Sequence, residues 1–480
     1  MSVTTKGPLP AEPYDVTVVG AGVVGSAIAR ELAGHHRLRV ALVEASGDVG
    51  DGTSKANTAI LHTGFDAVPG SLEARLVREG SRLLGAYAAE SGIPVEPVGA
   101  LLVAWDEEQL AALPGLLKKA ERNGYDEAHI IGADEIRARE PHLGEGALGA
   151  LSVPGESIIC PWTTTLAYAT QAVRGGVDLH LNCAVEKFGA SSPDGSACHE
   201  LTTPRGVVHT RYLVNAAGLH ADVLDRRLLG RGAFTVTPRR GQLIVFDKLA
   251  RDLVSHILLP VPTALGKGVL VAPTVYGNVL LGPTAEELDD KSATGTTEDG
   301  LAGLRAKGRR ILPALLDEEV TAVYAGLRAA TEHDDYQIHS SPQERYITVG
   351  GIRSTGLTAS MAIAEYVVGL LAEAAGPDLD LTVPGNLDPV SMPNLGEAYP
   401  RPYQRADLIA TDPAYGSIVC HCERVTRGEI RDALISTVPP GSLDGLRRRT
   451  RARGGRCQGF YCGAAVRELF DGWGESGAAR

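Results

Sequence analysis

Four cysteines near the end of the 480-residue chain have a type and spacing that suit metal ligation. One residue separates Cys420 from Cys422, 34 lie between Cys422 and Cys457, and four separate Cys457 from Cys462. Four thiolates suit zinc or a 2Fe-2S cluster, and their softness alone does not choose between them. Zinc pairs usually have about two intervening residues, so these gaps are unusual for zinc. We predict a tetrathiolate metal site and expect the other three cysteines to be ordinary thiols.

A second candidate site lies near the start of the chain. The β-branched run Tyr14–Val19 is followed by GAGVVG and then by an apolar pattern of helical spacing. Gly20, Gly22 and Gly25 fit the three glycine roles of a dinucleotide-binding turn: sharp reversal, close approach to pyrophosphate, and helix–strand packing. A second strand ends at Glu44, about 20 residues on, where a carboxylate can accept hydrogen bonds from ribose. FAD and NAD both use this arrangement.

Three further stretches are relevant to that choice. GDVGDGTSKANTAILHTGF, which follows Glu44, is too long for an ordinary connection of about 2–6 residues and is expected to be functional. RYLVNAAGLHAD reads as a strand that ends at Gly218 and leads into a helix. ITVGGIRSTGLTASMAIAEYVVGLLA reads as a strand, a glycine-rich turn from Gly350 to Gly356, and a helix.

In their order along the chain, these motifs resemble the D-amino-acid-oxidase-like FAD oxidoreductases, a family that includes glycerol-3-phosphate dehydrogenases and L-2-hydroxyglutarate oxidases. The resemblance covers about residues 13–375 and also includes AGLRAAT. It implies FAD and an α/β fold, in which a Rossmann-like FAD-binding domain is interleaved with an α+β substrate domain. Beside the glycine turn and Glu44, the cofactor residues that the resemblance implies are Thr53, Ser54, Asn57, Thr58, the backbone around Val185, Gly218, Gly351, Thr355, Gly356, Leu357 and Thr358.

Flavin-dependent dehydrogenation of an alcohol needs a base for the hydroxyl proton and a cation for an anionic substrate. By resemblance, His62 in ILHTGF lies beside the flavin, and an imidazole can take a proton near neutral pH. Arg328 would grip a carboxylate or phosphate of the substrate through its planar fork. Arg353 would bind substrate or brace the glycine turn. Lys267 is a further candidate cation, with an exposed hairpin position as the alternative, and His256 is a weaker one.

One residue departs from the glycerol-3-phosphate pattern. Those enzymes commonly have an arginine shortly after the histidine, whereas this chain reads HTGFDAVPG with Asp66 there. A doubly charged phosphate is repelled by a carboxylate. The segment resembles the 2-hydroxyglutarate branch instead, so the sequence leaves a 2-hydroxy acid and a polyol phosphate open, and does not dismiss an amino acid.

The C-terminal segments VTRGEIRDAL and LDGLRRRTRARGGRCQGFYC resemble the small bacterioferritin-associated-ferredoxin-like module, which binds a 2Fe-2S cluster. The resemblance makes the four cysteines cluster ligands in a small helical domain, with arginines near Arg456 offsetting the cluster's negative charge. Electrons would then pass from FAD through the cluster to an electron-acceptor protein or a quinone-linked subunit, which favours a dehydrogenase. The alternatives are an amine or amino-acid oxidase that uses oxygen and has a structural metal module, and a non-catalytic relay subunit.

Composition limits the remaining classes of function. The net charge of −12 argues against nucleic acid as a partner. The part from Gly416 onward has 11 Lys and Arg against 7 Asp and Glu, or +4, while the rest is −16. Six arginines between Arg447 and Arg456 are expected in a solvated or cluster-facing loop. The apolar runs are shorter than the ~20 residues of a transmembrane helix, which predicts a cytoplasmic protein. The sequence leaves open whether it forms oligomers and whether a partner brings it to a membrane.

The predicted domain organisation is discontinuous. The FAD-binding domain takes residues 13–90, 152–230 and 340–375, and the substrate domain takes 91–151 and 231–339. Residues 376–415, rich in Pro and Asp, are expected to be a surface linker. The 2Fe-2S-binding domain takes residues 416–475.

Overall fold

The computed structural model describes residues 3–35, 37–191, 198–262, 268–381, 385 and 387–477. In chain order the strands are β1 (Val3–Thr4), β2 (Tyr14–Val19), β3 (Val40–Val43), β4 (Ile60–Leu61), β5 (Val95–Glu96), β6 (Ala100–Ala104), β7 (His129–Gly132), β8 (Gly149–Val153), β9 (Ser157–Ile159), β10 (Asp178–His180), β11 (Lys187–Ser191), β12 (Cys198–Thr203), β13 (Gly206–Asn215), β14 (Thr237–Phe246), β15 (Ile257–Pro260), β16 (Leu270–Pro273), β17 (Val279–Gly282), β18 (Glu286–Glu287), β19 (Val320–Ala330), β20 (Gln337–Ser341), β21 (Tyr346–Gly350), β22 (Ile418–Cys420) and β23 (Val425–Thr426). The helices are α1 (Val23–Ala33), α2 (Leu72–Ser91), α3 (Glu107–Arg122), α4 (Ala133–Arg139), α5 (Pro161–Arg174), α6 (Ala221–Leu229), α7 (Glu298–Ile311), α8 (Gly356–Ala375), α9 (Ala406–Thr411), α10 (Arg427–Leu434), α11 (Leu443–Thr450) and α12 (Gly463–Gly477).

The first sheet has the order β1-β10-β3-β2-β13-β12-β11, and β21 pairs with β13 and β20. Strands β10, β3, β2, β13 and β21 are parallel to their neighbours in that part of the sheet, as expected of a dinucleotide-binding sheet. Val19 is opposite both Val43 and Asn215, so three strands end at one edge of the sheet. The segments that follow these strands therefore meet at that edge.

The second sheet has the order β18-β14-β17-β16-β15-β6-β8-β7, with β19 paired to β14. Its pairs are antiparallel except β15 with β6. Its strands alternate along the chain with those of the first sheet, so the α/β fold with an interleaved second domain is confirmed. A small sheet, β4-β9-β5, brings the loop after β3 against the turn between β8 and β9.

Helix α8 lies in the main apolar core, where it packs on α1 and α2. Together with the turn that follows it, residues 356–378, it is the one helix of the described residues that is long and apolar enough to cross a membrane. Of its most apolar window, 56% is buried within the fold. Packing in the core accounts for its apolar composition.

The C-terminal module, residues 416–477, has its own small core around Cys420, Ile430, Leu446 and Cys462. The sequence predicts a solvated or cluster-facing loop for the arginine run, but Arg448 and Arg449 lie on helix α11 and are each only 5% exposed. Both side chains contact Asp48 in the loop after β3, and Arg449 does so through two bonds of 2.7 Å. The module is thus joined to the first sheet's domain by buried charge pairs.

Candidate active site and cluster module

The glycine turn after β2 has the geometry of a phosphate cradle. Gly20 has φ of +103°, and a Cβ there would lie 2.5 Å from the carbonyl oxygen of Ala216. A Cβ at Gly25 would lie 1.8 Å from the carbonyl oxygen of Gly20, so helix α1 reaches β2 only without a side chain. Gly22 is the N-cap of α1 and has no capping side chain of its own. The helix N-terminus therefore has room and N–H donors for an anion.

Glu44 follows β3 at the same edge of the sheet. Its carboxylate accepts hydrogen bonds from the backbone N–H of Ala21 at 2.7 Å and of Ser46 at 2.8 Å. Burial raises its pKa. The Cys183 N–H donates to the Glu44 carbonyl oxygen at 2.7 Å, which brings the strand leading to Val185 beside it. A ribose and an adenine fit this pair of neighbouring segments.

The loop at residues 53–58 joins the glycine turn to the second sheet. The Ser54 hydroxyl accepts from the Val23 N–H at 2.9 Å, at the start of α1. The Thr53 hydroxyl donates to the Leu327 carbonyl oxygen at 2.9 Å, on β19. The Asn57 side chain bonds within the loop, to Ser54 at 2.9 Å, and Thr58 is half-buried beside it. A cofactor on the glycine turn would thus extend along this loop towards β19.

The N-terminus of α8 closes the other side of this region. Gly351 has φ of +66°, and Thr355 is the N-cap of the helix, which begins with Gly356, Leu357 and Thr358. The Thr355 hydroxyl contacts Tyr336 at 2.6 Å and donates to Glu73 at 2.7 Å, and these two hydrogen bonds fix its position. Gly218, with φ of +56°, begins the turn after β13, beyond the same sheet edge.

His62 lies where the loop meets α8. Its backbone N–H donates to the Thr358 hydroxyl at 3.0 Å, and its ring Nδ1 is 2.9 Å from a carboxylate oxygen of Glu156. Glu156 is fully buried, and its other oxygen accepts from the backbone N–H and the hydroxyl of Thr63 at 2.7 and 3.0 Å. A carboxylate on Nδ1 fixes the tautomer in which that nitrogen carries the proton. The sequence did not reveal Glu156, because it lies 94 residues away in a turn without a motif.

Arg328 lies on β19, next to Leu327, which contacts the loop. Burial lowers the pKa of its guanidinium, and Arg239 across the strand pair lowers it further. Its one hydrogen bond in the described part of the chain is a long one, 3.5 Å, to the Thr284 carbonyl oxygen. No carboxylate of the described residues lies within 4 Å of the Arg328 guanidinium, the distance that defines an ion pair. A half-buried cation with this environment is suited to bind an anion.

The other candidate cations differ in position. Arg353 contacts Glu73 at 3.2 Å and the Asp334 carbonyl oxygen, so among the described residues it has a carboxylate partner that Arg328 lacks. His256 is paired with the buried Glu140 at 2.6 Å, before β15. Lys267 lies outside the described residues.

The four cysteines of the module lie together as two pairs. The thiols of Cys422 and Cys457 interact with each other, as do those of Cys420 and Cys462. Hydrogen bonds from backbone N–H groups lower the pKa of Cys457, and the bond from the Tyr461 N–H has the largest effect. Within the described residues no group of three or more ligands converges on one point. Four neighbouring thiols are a donor set that suits a 2Fe-2S cluster with two thiolates on each iron, and they would also suit a tetrahedral zinc.

Comparison with known proteins agrees with this arrangement. Residues 15–370 match the family model "FAD dependent oxidoreductase", and residues 418–471 match a BFD-like 2Fe-2S binding domain. A glycerol 3-phosphate dehydrogenase of Caloramator mitchellensis is 36% identical over 95% of this chain and 94% of its own. One subunit of the anaerobic glycerol-3-phosphate dehydrogenase of Escherichia coli K12 is 26% identical over 95% of this chain and 88% of its own. The FAD-bound L-alpha-glycerophosphate oxidase of Mycoplasma pneumoniae has a TM-score of 0.73 and 29% identity, over 80% of this chain and all of that one.

Proposed function

The chain belongs to the FAD-dependent oxidoreductase family, and from that premise we propose that it dehydrogenates glycerol 3-phosphate and passes the electrons through its 2Fe-2S cluster to a partner. The family models that match this chain support FAD and a 2Fe-2S cluster, and its relatives support oxidation of a hydroxy compound. The observation that carries the proposal is Arg328, a half-buried guanidinium without a carboxylate partner among the described residues, next to the loop that leads to the His62–Glu156 pair. A cation and a base close to a flavin site suit an anionic alcohol.

Each residue has a defined task in this proposal. Glu156 accepts a hydrogen bond from the Nδ1 proton of His62 and so presents Nε2 as the base for the substrate hydroxyl. Arg328 binds the phosphate through two N–H donors and places the carbon that carries the hydroxyl. FAD, when bound, supplies the acceptor for the hydride. His62, with a 24% exposed side chain, and Arg328 are both half-buried, and partial removal from water strengthens the interaction of each with the substrate.

The cluster module has the exposure that an electron exit needs. Phe460 and Tyr461, between the ligands Cys457 and Cys462, are 96% and 74% exposed, and the His421 ring packs against Tyr461. Large exposed aromatic side chains are typical of interaction surfaces. The Escherichia coli relative is by name one subunit of an enzyme, which supports a protein acceptor. Any association of this chain with a membrane would then be through that partner.

A 2-hydroxy acid such as 2-hydroxyglutarate is the second candidate substrate, and Asp66 is the observation that favours it. Asp66 follows His62 by four residues, on a segment whose backbone Asn123 holds at three carbonyl oxygens, those of residues 64, 65 and 67. A carboxylate fixed there disfavours a doubly charged phosphate more than a singly charged carboxylate. The full-length relatives favour the phosphate, so we place it first.

Anaerobic mixing of the holoprotein with each compound tests the proposal. We expect glycerol 3-phosphate to bleach the flavin and a reduced-cluster EPR signal to follow. The Cys457→Ser variant should lose the EPR signal while its flavin still bleaches, because the flavin site contains no cysteine ligand. Bleaching by 2-hydroxyglutarate alone would transfer the function to the second candidate. Stoichiometric peroxide release in air with no cluster reduction, or zinc in place of iron, would refute the proposed electron exit.

A further inference from the structure

A stacked aromatic pair lies between the loop at residues 53–58, which we call the flavin loop, and the cluster module. The rings of Trp162 and Tyr276 are 5.0 Å apart, centroid to centroid, with an angle of 22° between their planes. The Trp162 indole N–H donates to the Lys55 carbonyl oxygen at 3.0 Å, so the pair begins directly at the loop that follows Ser54. Trp162 comes from the first turn of α5, and Tyr276 comes from the turn between β16 and β17. The pair therefore joins both sheets at the base of the flavin region.

The module contacts the same pair from the other side. The guanidinium of Arg451 lies 4.3 Å from the Tyr276 ring centroid and 5.8 Å from that of Trp162. Arg451 is 6% exposed and contacts Glu423 at 3.2 Å. Glu423 is the neighbour in sequence of the cluster ligand Cys422. Lys55, Trp162, Tyr276, Arg451 and Glu423 thus form an unbroken series of contacts from the flavin loop to the cluster.

Other contacts between the module and the body include ion pairs at and beside the flavin loop, Lys55 with Asp444 at 3.8 Å and Asp51 with Arg448 at 2.9 Å, and these contain no aromatic group. The Asp48–Arg449 contact joins the module to the loop after β3 and contains no aromatic group. The Asp247–Arg456 contact starts from the end of β14, in the second sheet, away from the flavin loop. Burying Arg451 costs several kcal/mol of desolvation, which an ion pair offsets only in good geometry. Two aromatic faces and Glu423 supply that geometry.

We propose that Trp162, Tyr276 and Arg451 form the path of the electrons from the flavin to the cluster. The proposal rests on the proposed function, in which the cluster takes the electrons of the substrate. Electron tunnelling decays exponentially with distance and decays faster across water-filled gaps than across packed atoms. The aromatic pair fills the gap and is itself neither oxidised nor reduced. Each transfer reduces the cluster by one electron, so two transfers, with the acceptor emptying the cluster between them and the flavin proton released to solvent, reoxidise the flavin.

Rapid anaerobic mixing of the holoprotein with glycerol 3-phosphate tests the path, because flavin and cluster bleach at different wavelengths. In the native protein cluster reduction should follow flavin reduction without a lag. The Trp162→Leu and Tyr276→Leu variants should keep the native rate of flavin reduction and acquire a lag before cluster reduction. Trp162→Phe and Tyr276→Phe, which keep a ring in place, should show a smaller lag. The control is Trp105→Leu, whose ring packs on Arg310 in the second domain and should change neither phase.

The outcomes distinguish failure of the proposed electron path from failure of the proposed function. A native cluster that dithionite reduces but substrate never reduces would sink the proposed electron flow, and the path with it. Leucine variants whose clusters follow the flavin without a lag would overturn the path alone. If a variant fails to bind FAD or iron, the phenylalanine variants carry the test. Should glycerol 3-phosphate not bleach the flavin, a laser flash replaces it as the source of electrons.

A second measurement needs neither cofactor. The native spectrum minus that of Trp162→Phe isolates the Trp162 fluorescence in protein stripped of FAD and iron. We expect Tyr276→Leu and Arg451→Met to shift that emission to longer wavelength, because water reaches the indole when its covering groups are removed. An unchanged Trp162 emission in both variants would show that the stack does not exist in solution.

Discussion

Replacing Glu156 with glutamine tests whether a buried carboxylate sets the tautomer of His62. One Glu156 oxygen accepts from the backbone N–H of Thr63 at 2.7 Å, and the other accepts from His62 Nδ1 at 2.9 Å. Glutamine has a single oxygen. Because the Thr63 N–H can only donate, that oxygen stays with Thr63, and the amide NH₂ then faces Nδ1. Nδ1 must accept, the ring proton moves to Nε2, and the base is lost.

The size of the effect follows from that loss. General-base catalysis contributes about 10²–10⁴ in rate, and a wrong histidine tautomer costs about 10⁴ in a serine protease. We therefore expect the Glu156→Gln variant to reduce its flavin about 10²–10⁴ times more slowly, which is about 2.7–5.4 kcal/mol in the barrier. Anaerobic stopped-flow bleaching by glycerol 3-phosphate measures the rate directly. FAD content and thermal unfolding should stay near native, because the substitution keeps the volume of the side chain.

The chain contains its own matched control. Glu140 is equally buried and pairs with His256 Nδ1 at 2.6 Å, but its contacts lie at the start of β15 and not at the flavin loop. Glu140→Gln makes the same chemical change in a similar setting and should leave flavin reduction at the native rate. Equal losses in the two variants, or native bleaching by Glu156→Gln, would refute the assigned role of His62.

Three further predictions test substrate binding, module docking and the cofactor cradle. Arg328→Met should weaken substrate binding by about 1.5–3 kcal/mol, which is roughly 10- to 150-fold in Kd from the saturation of flavin bleaching, and an unchanged Kd would remove Arg328 from the site. Asp48→Asn leaves the buried Arg449 guanidinium without its carboxylate, removes one of the three carboxylates around Arg448, and should weaken module docking by about 3–5 kcal/mol in urea unfolding. Asp444→Asn, at a 40% exposed carboxylate, should cost about 0–1 kcal/mol, and equal costs would contradict the role of burial. Gly25→Ala should abolish FAD binding, read from flavin absorbance, whereas Gly85→Ala, with nothing within 4 Å of the added Cβ, should stabilise the α2 helix by about 0.5–1 kcal/mol.

Local patterns made the fold predictable. The turn after Tyr14–Val19 needs glycine at positions where a Cβ would overlap backbone atoms, so the residues themselves record the close approach. The order of the motifs predicted the interleaved domains, and the paired cysteine spacing predicted a metal site. In each case the interacting groups lie close in sequence or at characteristic separations, which is the condition under which a pattern carries structural information.

The partners that position the site could not be predicted in the same way. Glu156 meets His62 across 94 residues, and Trp162 meets Tyr276 from a distant part of the chain, with no spacing rule for either pair. A single aromatic residue or glutamate in a turn is compatible with many environments, and only the packing of the two sheets decides between them. Arg353 was recognised from the sequence, but its sequence context allowed two roles. The structure adds its partner, Glu73.

The charge asymmetry of the chain has a structural explanation that bears on the electron path. A segment of +4 lies against a body of −16, and its arginines at 448 and 449 pair with Asp48 inside the protein. Salt screens buried ion pairs far less than exposed ones. Binding of surface arginines to the phosphates of a nucleic acid would instead weaken steeply with salt. The module should therefore stay docked at high ionic strength. A fixed module gives the path through Trp162 and Tyr276 a constant length, so cluster reduction should follow flavin reduction without a lag at low and at high salt. A module that moves relative to the body would instead show a lag that changes with salt.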